Sequence, residues 1–456
     1  MSDNFKEQGG AATMDPSPVM RWLTSRVMTR LCQPERLIKR RALLEKEREK
    51  LGQPHVVEYF HQVDDGYSHL AAQVLQSLSE RYQIKIVCHI VAGPQGKNSP
   101  EPELLLKLSR HDACQVAPEY GLEFPQHDQP LSPGLVKLAS SILAAQDSAG
   151  FVEHAAEVGR ALWADDELTL KELAQQLGCA SDTNTADCIA AGNRRQNELK
   201  HYSGGMFYYG EEWYWGVDRL YHLEQRLCDL GVNLSDARLL TPRPPIEPGQ
   251  LQDNGRLTLE VYASLRSPYT AVIFDRAVKL ARDTGVTLAV RPVLPMVMRG
   301  VPATRQKGMY IFADAAREAR ADGVSFGNFY DPIGNPARRG YSLYPWACEQ
   351  GKGVALISAF LNCAFVESIN LNNDAGLKKM VEKAGLEWSE AKKRVGQPGW
   401  EALLETNRLE MYASGLWGVP SFRLLDETGK ELLALWGQDR LWLFARVIQR
   451  HLRTRQ

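Results

Sequence analysis

The pattern Trp-Gly-x-Asp-Arg-Leu occurs twice in this chain, at 215–220 and again at 436–441. Each copy follows two short runs of strand-forming residues, "MFYYG" and "EWYWG" before the first, "SFRLL" and "ELLALWG" before the second. An aspartate in the first turn of a helix satisfies free backbone N–H groups and suits the helix dipole. Each copy therefore predicts a strand pair that leads into a helix, and the repetition predicts two domains of one design.

A second repeated order precedes each copy. A strand-length run, a stretch with apolar residues at helical spacing and another strand-length run form one βαβ unit. The first set lies at 56–60, 66–82 and 84–91, and the second at 257–263, 268–283 and 287–294. Predominantly helical inserts follow at about 131–200 and 305–414. The order βαβ…ββα with a helical insert is that of a thioredoxin-like fold, so we predict an α/β protein with two tandem thioredoxin-like domains.

A proline-rich segment separates the predicted domains. The stretch 239–256 contains four prolines and two glycines and lacks hydrophobic periodicity, which indicates a partly extended linker. We therefore place a tail and helical arm at 1–52, a first domain at 53–234, the linker at 235–255 and a second domain at 256–456. The length of 456 residues agrees with two domains, because single cores stop growing at roughly 250 to 300 residues.

Composition excludes several classes of protein. The chain has 54 basic and 55 acidic side chains, so it offers no net positive field to nucleic acid. We find no signal sequence and no membrane span, and expect a cytoplasmic protein. Its eight cysteines form no C-x-x-C motif, so we expect free thiols in a reducing compartment. The ten histidines show no ligand spacing, so we expect no metal site.

The arm at 20–50 allows two interpretations. Apolar residues share one helical face and basic residues lie elsewhere, which suits a membrane surface or a partner. Acidic residues soon alternate with the basic ones in "RLIKRRALLEKEREK", which favours a helical arm packed on its own protein. A protein partner for the arm or for the first domain stays open.

A candidate site lies at the start of the second domain's first helix. Serine followed by proline, as at Ser267-Pro268, is a common helix start, with the serine as N-cap. That structural role explains the pair when it is taken alone. A second motif, "GVPSF" at 418–422, stands directly before the closing strand pair and favours a functional site.

The C-terminal half resembles the DsbA-like thioredoxin superfamily, and within it the branch of 2-hydroxychromene-2-carboxylate isomerases and kappa-class glutathione transferases. That branch has S-P-Y-S where redox relatives have C-x-x-C, a G-V-P loop with a cis proline, and a closing G-[QS]-D-R-[LM]. This chain has "SPYT", "GVP" and "WGQDRL" in the same order. Its "KGMYIFADAAREARADG" at 307–323 is similar to the family stretch K-x-x-Y-x-x-x-D-x-x-R-x-A.

The resemblance implies glutathione as cofactor and a role for each matching residue. Ser267 would donate a hydrogen bond to the glutathione thiolate, whose pKa the helix dipole would also lower. Val419, before the cis Pro420, would pair its backbone with the extended tripeptide. The remaining implied contacts are Gln438 and Asp439 with the γ-glutamyl end and Lys307 with the glycine carboxylate.

Two departures from the family concern the second domain. The loop before Lys307 is several residues shorter than in the family and lacks an asparagine that usually helps to hold substrate or glutathione. Thr270 replaces the second serine of S-P-Y-S. No resolving cysteine is present there, so dithiol oxidation is excluded at this site.

The first domain is predicted to be a degenerate copy. Alignment places Asp65 at the serine position, Gly66 at the proline that follows and Met206 at the cis proline. A carboxylate at that position would repel a thiolate, so we interpret the first domain as a non-catalytic partner, although a different ligand stays possible. The acidic pairs at 64–65 and 211–212 could serve acid–base chemistry, but adjacent acids are more often solvated or capping.

Two functions stay open. The first is a glutathione-dependent isomerase or transferase for a small apolar or aromatic substrate, with Ser267 stabilising the thiolate. We expect apolar side chains near that site, namely Met296, Met298, Met309, Tyr310 and Phe312. The second is a non-catalytic thioredoxin-fold pseudoenzyme that binds a peptide or protein along the G-V-P loop.

Overall fold

The computed structural model describes residues 15–126, 129–235, 238–301 and 304–454. They form two compact units. The N-terminal unit comprises the described residues of 38–244, and the C-terminal unit comprises those of 1–37 together with 245–456. The arm expected at 1–52 is therefore divided between the two units.

Helix α1 (Pro18–Cys32) belongs to the C-terminal unit. Ser17 caps it and Pro18 occupies its first turn. Its Arg21 side chain is only 1% exposed and donates to the carbonyl oxygens of Asp331 and Ile333, each at 2.6 Å. Buried guanidinium groups need such acceptors. Helix α1 thus packs on its own protein, as the favoured interpretation of the arm states, but through the face that contains Arg21, Ser25, Met28 and Cys32. The apolar face noted in the sequence, with Met20, Leu23, Val27 and Leu31, is exposed.

Helix α2 (Pro34–Lys50) continues the arm into the N-terminal unit. Arg40 binds Glu211 at 2.5 Å, and Arg41 binds both carboxylate oxygens of Glu212 at 2.7 and 2.8 Å. The bidentate pair holds the helix against the turn between two strands. Glu211 and Glu212 have structural partners, so their geometry gives no support to an acid–base role.

The N-terminal unit has a four-stranded sheet and a helical insert. Its strands are β1 (His55–His61), β2 (Ile84–Ile90), β3 (Met206–Tyr209) and β4 (Glu212–Trp215). Its further helices are α3 (Gly66–Ala72), α4 (Leu75–Arg81), α5 (Pro102–Val116), α6 (Pro133–Ala144), α7 (Ser148–Trp163), α8 (Glu167–Leu177), α9 (Asp182–Glu198) and α10 (Gly216–Asp229). Short 3₁₀ turns lie at Gly96–Asn98 and Ala117–Tyr120.

The C-terminal unit has a sheet and an insert of the same kind. Its strands are β5 (Thr258–Ala263), β6 (Thr287–Pro292), β7 (Ser421–Leu425) and β8 (Glu431–Trp436). Its helices after α1 are α11 (Pro268–Thr284), α12 (Arg305–Ala321), α13 (Asn335–Glu349), α14 (Gly353–Phe365), α15 (Asp374–Lys383), α16 (Trp388–Lys392), α17 (Trp400–Ala413) and α18 (Leu441–Arg453). The 3₁₀ turns are Met296–Arg299 and Gln438–Arg440.

The two sheets share one topology. The strand orders are β2-β1-β3-β4 and β6-β5-β7-β8, with the first pair parallel and the other two pairs antiparallel in each sheet. Helices pack on both faces of each sheet, as is usual for sheets with parallel strands. The central strands are therefore buried, and at most 1% of the side chain is exposed at Tyr59, Phe207, Val261 and Phe422. The predicted α/β class, the strands and the helical inserts are confirmed.

Corresponding polar contacts accompany this topology. Buried Glu58 on β1 binds Arg195 and His89, while buried Glu260 on β5 binds Arg291 and Arg423. In both sheets, therefore, a carboxylate on the corresponding central strand binds at least one arginine from a neighbouring element, as a buried charge needs.

The alignment of Met206 with the cis proline is wrong by one residue. Met206 pairs with Trp215, as Ser421 pairs with Trp436. The Gly205 carbonyl accepts from the Gly216 amide at 2.7 Å, as the Pro420 carbonyl accepts from the Gly437 amide at 3.0 Å. The position of Pro420 in the N-terminal sheet therefore belongs to Gly205. Its φ of +64° is a conformation that glycine adopts without a Cβ clash.

Among the described residues, no helix combines the length and the apolar character needed to cross a membrane. All eight cysteines lie in described segments and are free thiols.

Candidate active site

Ser267 lies at the N-terminus of α11, directly after the central strand β5. Its Oγ accepts a hydrogen bond from the Thr270 amide at 3.1 Å and donates one to the Val419 carbonyl at 3.3 Å. The first is the N-cap bond predicted from the Ser-Pro pair. The second connects the helix start to the loop before β7. Ser267 and Val419 are half-buried, so this meeting point is partly open to solvent.

The Val419–Pro420 peptide bond is cis, and among the described residues it is the one cis bond. The prediction of a cis proline in the G-V-P motif is confirmed, and the bond before Met206 is trans. The hydrogen bond from the Gly437 amide to the Pro420 carbonyl links this loop to the second Trp-Gly-x-Asp-Arg-Leu segment. Ser267, Val419 and Pro420 thus lie together.

Lys307 approaches the same loop from the first turn of α12. Its Nζ lies 5.6 Å from the centre of the Trp417 ring, two residues before Val419. Burial of the ammonium group lowers the pKa of Lys307 to about 8. The indole Nε1 of Trp417 is buried and has no hydrogen-bond partner among the described residues. The structure therefore places an easily titrated cation beside the cis-proline loop.

The side chains of Gln438 and Asp439, directly after β8, point in different directions. Gln438 is 2% exposed, and its Nε2 donates to Glu318 at 2.7 Å inside the unit. Its neighbour Asp439 is partly exposed and lies 3.8 Å from Arg440 Nη1. The turn Gln438–Arg440 packs against α11. Of this pair, Asp439 has its carboxylate near solvent, whereas the side chain of Gln438 faces the interior.

A tyrosine–aspartate bond supports the site and was missed in the sequence. The Tyr269 hydroxyl donates to Asp314 Oδ2 at 2.8 Å, and Arg317 binds the same carboxylate at 2.5 Å. Asp314 and Arg317 are the D and R of the stretch that starts at Lys307. This connection fixes α12 against the first turn of α11. The sequence motif contains both residues, but it does not indicate that the aspartate contacts Tyr269.

The five apolar residues expected near the site have different surroundings. Met298 is 2% exposed in the core, and Phe312 packs edge-on against Phe329 with ring centres 4.9 Å apart. Met309 is exposed, while Met296 and Tyr310 are half-buried. Met298 is therefore too deeply buried to line an open substrate site without rearrangement.

The N-terminal unit presents aspartate at the corresponding helix start. Asp65 caps α3 by accepting from the amide and the hydroxyl of Ser68, at 2.9 and 2.8 Å. Burial raises the pKa of Asp65 to about 6. The Tyr67 hydroxyl donates to Asp112 Oδ2 at 2.7 Å, which reproduces the bond from Tyr269 to Asp314. The predicted match of Asp65 to the serine position is therefore supported by geometry, and so is its capping role.

A capped helix after the central strand, a facing cis-proline loop and this strand order define a thioredoxin-like domain. More specifically, residues 258–449 match the DSBA-like thioredoxin domain family. The C-terminal unit thus contains a DSBA-like thioredoxin domain, and the match does not extend into the N-terminal unit.

Solved structures show distant similarity, and no curated protein matches the chain. A probable DsbA oxidoreductase from Streptomyces coelicolor is 20% identical over 44% of this chain and 91% of its own, with a TM-score of 0.35. A 2-hydroxychromene-2-carboxylate isomerase is 19% identical over 43% of this chain and 97% of its own, with a TM-score of 0.37. The cytosolic disulfide reductase DsbM from Pseudomonas aeruginosa is 18% identical over 43% and 99%, with a TM-score of 0.33.

Proposed function

We propose that the C-terminal unit is a glutathione-dependent isomerase or transferase for a small apolar or aromatic substrate. The observation that supports this most directly is the position of the Ser267 hydroxyl, between the Thr270 amide and the Val419 carbonyl. It lies at the N-terminus of a 17-residue helix, where the helix dipole favours an anion. This is where a thiolate would be stabilised.

The charged groups around the loop fit the tripeptide. Lys307 offers a cation to the glycine carboxylate, and Asp439 offers a carboxylate to the γ-glutamyl ammonium. The backbone of Val419 lies between the Ser267 contact and Pro420 and would pair with the extended cysteinyl residue. Gln438 would act by holding the turn, since its amide is bonded to Glu318. Lys307, Val419, Pro420 and Asp439 thus remain the proposed binding residues, and Gln438 is proposed to position the turn next to Asp439.

Glutathione, when bound, supplies a nucleophilic thiolate for addition to an activated double bond or for substitution. The Ser267 hydroxyl has one proton, which now lies in its bond to the Val419 carbonyl. On binding, rotation about the Cβ–Oγ bond would direct that proton toward the thiolate. The Val419 carbonyl would then be available to accept from the peptide N–H of the ligand. The same movement would serve thiol activation and peptide binding.

Ser267 and Thr270 separate this site from dithiol chemistry. They occupy the positions of the two cysteines in C-x-x-C, and neither hydroxyl can form a disulfide. The Thr270 side chain is fully buried, and its Oγ1 lies 3.5 Å from the Ser264 amide. The proposed reaction therefore uses the thiol of the cofactor alone.

We also propose that the two units are tandem copies and that the N-terminal one has lost this chemistry. The shared strand order, the paired Tyr67–Asp112 and Tyr269–Asp314 bonds, and the carboxylates on the central strands support a common origin. Asp65 would repel a thiolate, and Gly205 cannot provide the cis-proline geometry. The alternative function follows from the same facts: a pseudoenzyme in which the Val419 backbone pairs with a peptide or protein.

Calorimetric titration of glutathione into the full chain tests the proposal. The full chain is needed because Arg21 of α1 is buried against 331–333, so a fragment starting at 256 would leave these carbonyls exposed. We expect binding, together with turnover of an aryl halide or an activated alkene that Ser267→Ala slows. Binding without turnover would favour the pseudoenzyme, and no heat from glutathione would exclude the glutathione-dependent function.

A further inference from the structure

The N-terminal unit contains a cavity beside Asp65 that the proposed reaction does not use. Its volume is about 140 Å³, close to the roughly 150 Å³ of an engineered cavity that holds benzene. Its walls include Asp64, Asp65, Tyr67, Leu105, Leu106 and Trp215. The described residues that line it include no lysine, arginine or histidine. The charge inside this cavity is therefore acidic.

Two aromatic rings form one side of the cavity. The Tyr67 and Trp215 ring centres are 5.2 Å apart at an interplanar angle of 72°. The bond from the Tyr67 hydroxyl to Asp112 fixes the first ring. Trp215 is half-buried at the end of β4. Edge-to-face rings held in this way leave negative faces for a cation to contact.

The carboxylates lie on the cavity wall and accept hydrogen bonds from uncharged groups, which for Asp65 include the backbone of Tyr67. The Asp65 bonds to Ser68 both involve Oδ2, and Gln62 Nε2 donates to Asp64 Oδ1 at 2.9 Å. The raised pKa of Asp65, caused mainly by burial, agrees with a carboxylate that lacks a cation of its own chain. A buried carboxylate next to aromatic faces is the combination that binds alkylammonium groups.

We infer that this cavity binds the cationic head group of a small organic amine or quaternary ammonium compound. A second cavity of about 390 Å³ adjoins it, sharing Asp64 and Leu106, and is lined by Leu131, Val136 and Trp163. Its two cations, Arg110 and Lys137, bind the Gln129 carbonyl and Asp182, each at 2.6 Å. The second cavity has room for an apolar substituent on the ammonium group. The site thus selects a cation, whereas Ser267 and Lys307 in the C-terminal unit would favour anionic groups.

Titration of the full chain with choline, followed by ligand-observed NMR, tests this inference. The matched probe is 3,3-dimethylbutan-1-ol, which has the same shape and no charge. We expect choline to bind at least about tenfold more tightly than the alcohol, as a desolvated cation–π contact and a carboxylate require. Equal binding of the two probes, or no choline binding at about 100 mM, would overturn the inference.

Two variants locate the site. Asp65→Asn keeps the N-cap, because asparagine caps helices as well as aspartate does, yet it removes the charge. We expect at least about tenfold weaker choline binding in this variant and in Trp215→Leu. Asp166→Asn is the control: Asp166 caps α8 through the amide and hydroxyl of Thr169 in the same way, away from the cavity. An equal loss in the Asp166 control, or unchanged affinity in Asp65→Asn, would contradict the assignment.

The inference does not depend on the function proposed for the C-terminal unit. Asp65→Asn should leave glutathione binding unchanged, so failure of one proposal is distinguishable from failure of the other.

Discussion

The hydroxyl of Ser267 donates to the carbonyl of Val419 across 3.3 Å, from the start of α11 to the cis-proline loop. This bond uses the one proton that the hydroxyl has to offer. Any anion that Ser267 stabilises must therefore replace the Val419 carbonyl as acceptor. The gain in free energy is the difference between the two hydrogen bonds, which limits the effect of Ser267 on a bound thiol.

Ser267→Ala should raise the pH midpoint for formation of the bound glutathione thiolate by about one pKa unit. A hydrogen bond to a charged acceptor contributes roughly 1.5 to 3 kcal/mol, and one unit corresponds to about 1.4 kcal/mol. We expect the lower end of this range, because the hydroxyl must break its hydrogen bond to the Val419 carbonyl in order to donate to the thiolate. Some depression of the thiol pKa should remain in the variant, because the helix dipole is unchanged. Thiolate absorbance of the complex as a function of pH measures the shift.

Ser181→Ala is the control for this measurement. Ser181 caps α9 in the N-terminal unit by accepting from the Asn184 amide at 3.1 Å, so its loss also removes an N-cap. The thiol pKa should not change in this variant. Identical titrations of wild type and Ser267→Ala, both with glutathione bound, would show that Ser267 is only a helix cap.

Lys307 should make binding of S-methylglutathione depend on pH near 8. S-methylglutathione has no thiol, so ionisation of a thiol near Ser267 cannot contribute to the pH dependence of binding. Because burial lowers the pKa of Lys307 to about 8, the lysine loses its charge as the pH rises through that value, and affinity for the glycine carboxylate should fall. Lys307→Met should bind about fivefold more weakly at pH 7. The difference between the two proteins should vanish by about pH 10. A constant difference would place Lys307 outside the site.

Glu260→Ala should lower the free energy of unfolding of the C-terminal unit by about 3 kcal/mol. The carboxylate is 1% exposed and binds Arg291 at 2.7 Å and Arg423 at 2.7 Å. Its removal takes this counter-charge from Arg423 and leaves Arg291 with the more distant Glu410, at 3.9 Å. Urea unfolding measures the loss. Glu405→Ala, which removes an exposed ion pair with Arg408, should cost less than about 1 kcal/mol; equal losses would contradict a structural role for Glu260.

Gly205→Ala should destabilise the N-terminal unit by about 2 kcal/mol. The φ of Gly205 is +64°, which costs an alanine about 1 to 2 kcal/mol. An added Cβ would also lie 3.2 Å from the Ser68 amide nitrogen. Gly231 has a φ of +69° and no atom within 4 Å of an added Cβ, so Gly231→Ala should show the conformational cost alone. Thermal unfolding compares the two variants, and an equal effect would show that the Ser68 contact is unimportant.

The sequence determined the local elements and their order. Strand-length runs gave β1 and β2, and helical spacing gave α11 as a single helix. Ser267 was recognisable as an N-cap because capping depends on residues three positions apart. The stretch 66–82 was expected to be one helix but forms α3 and α4. Local patterns of side-chain spacing thus predicted the type and order of most elements, but not where each helix ends.

The register of the strands needed the tertiary structure. Which residue of the N-terminal sheet matches Pro420 depends on hydrogen bonds between distant segments, such as Gly216 to Gly205. A shift of one residue in an alignment does not change the local pattern, yet it changes which residue faces the helix start. The sequence alignment therefore matched Met206 to Pro420, whereas the strand pairing matches Gly205 to it.

Burial of polar groups was also decided by the fold. The sequence shows Arg21 as one of several basic residues, but carbonyls more than 300 positions away make its burial favourable. Gln438 turns inward because Glu318 accepts a hydrogen bond from its amide. Tyr67 and Trp215, far apart in the sequence, meet in the wall of the cavity beside Asp65. Periodicity in a sequence reports which face of an element is apolar. Only the packed chain shows which distant group each buried polar atom contacts.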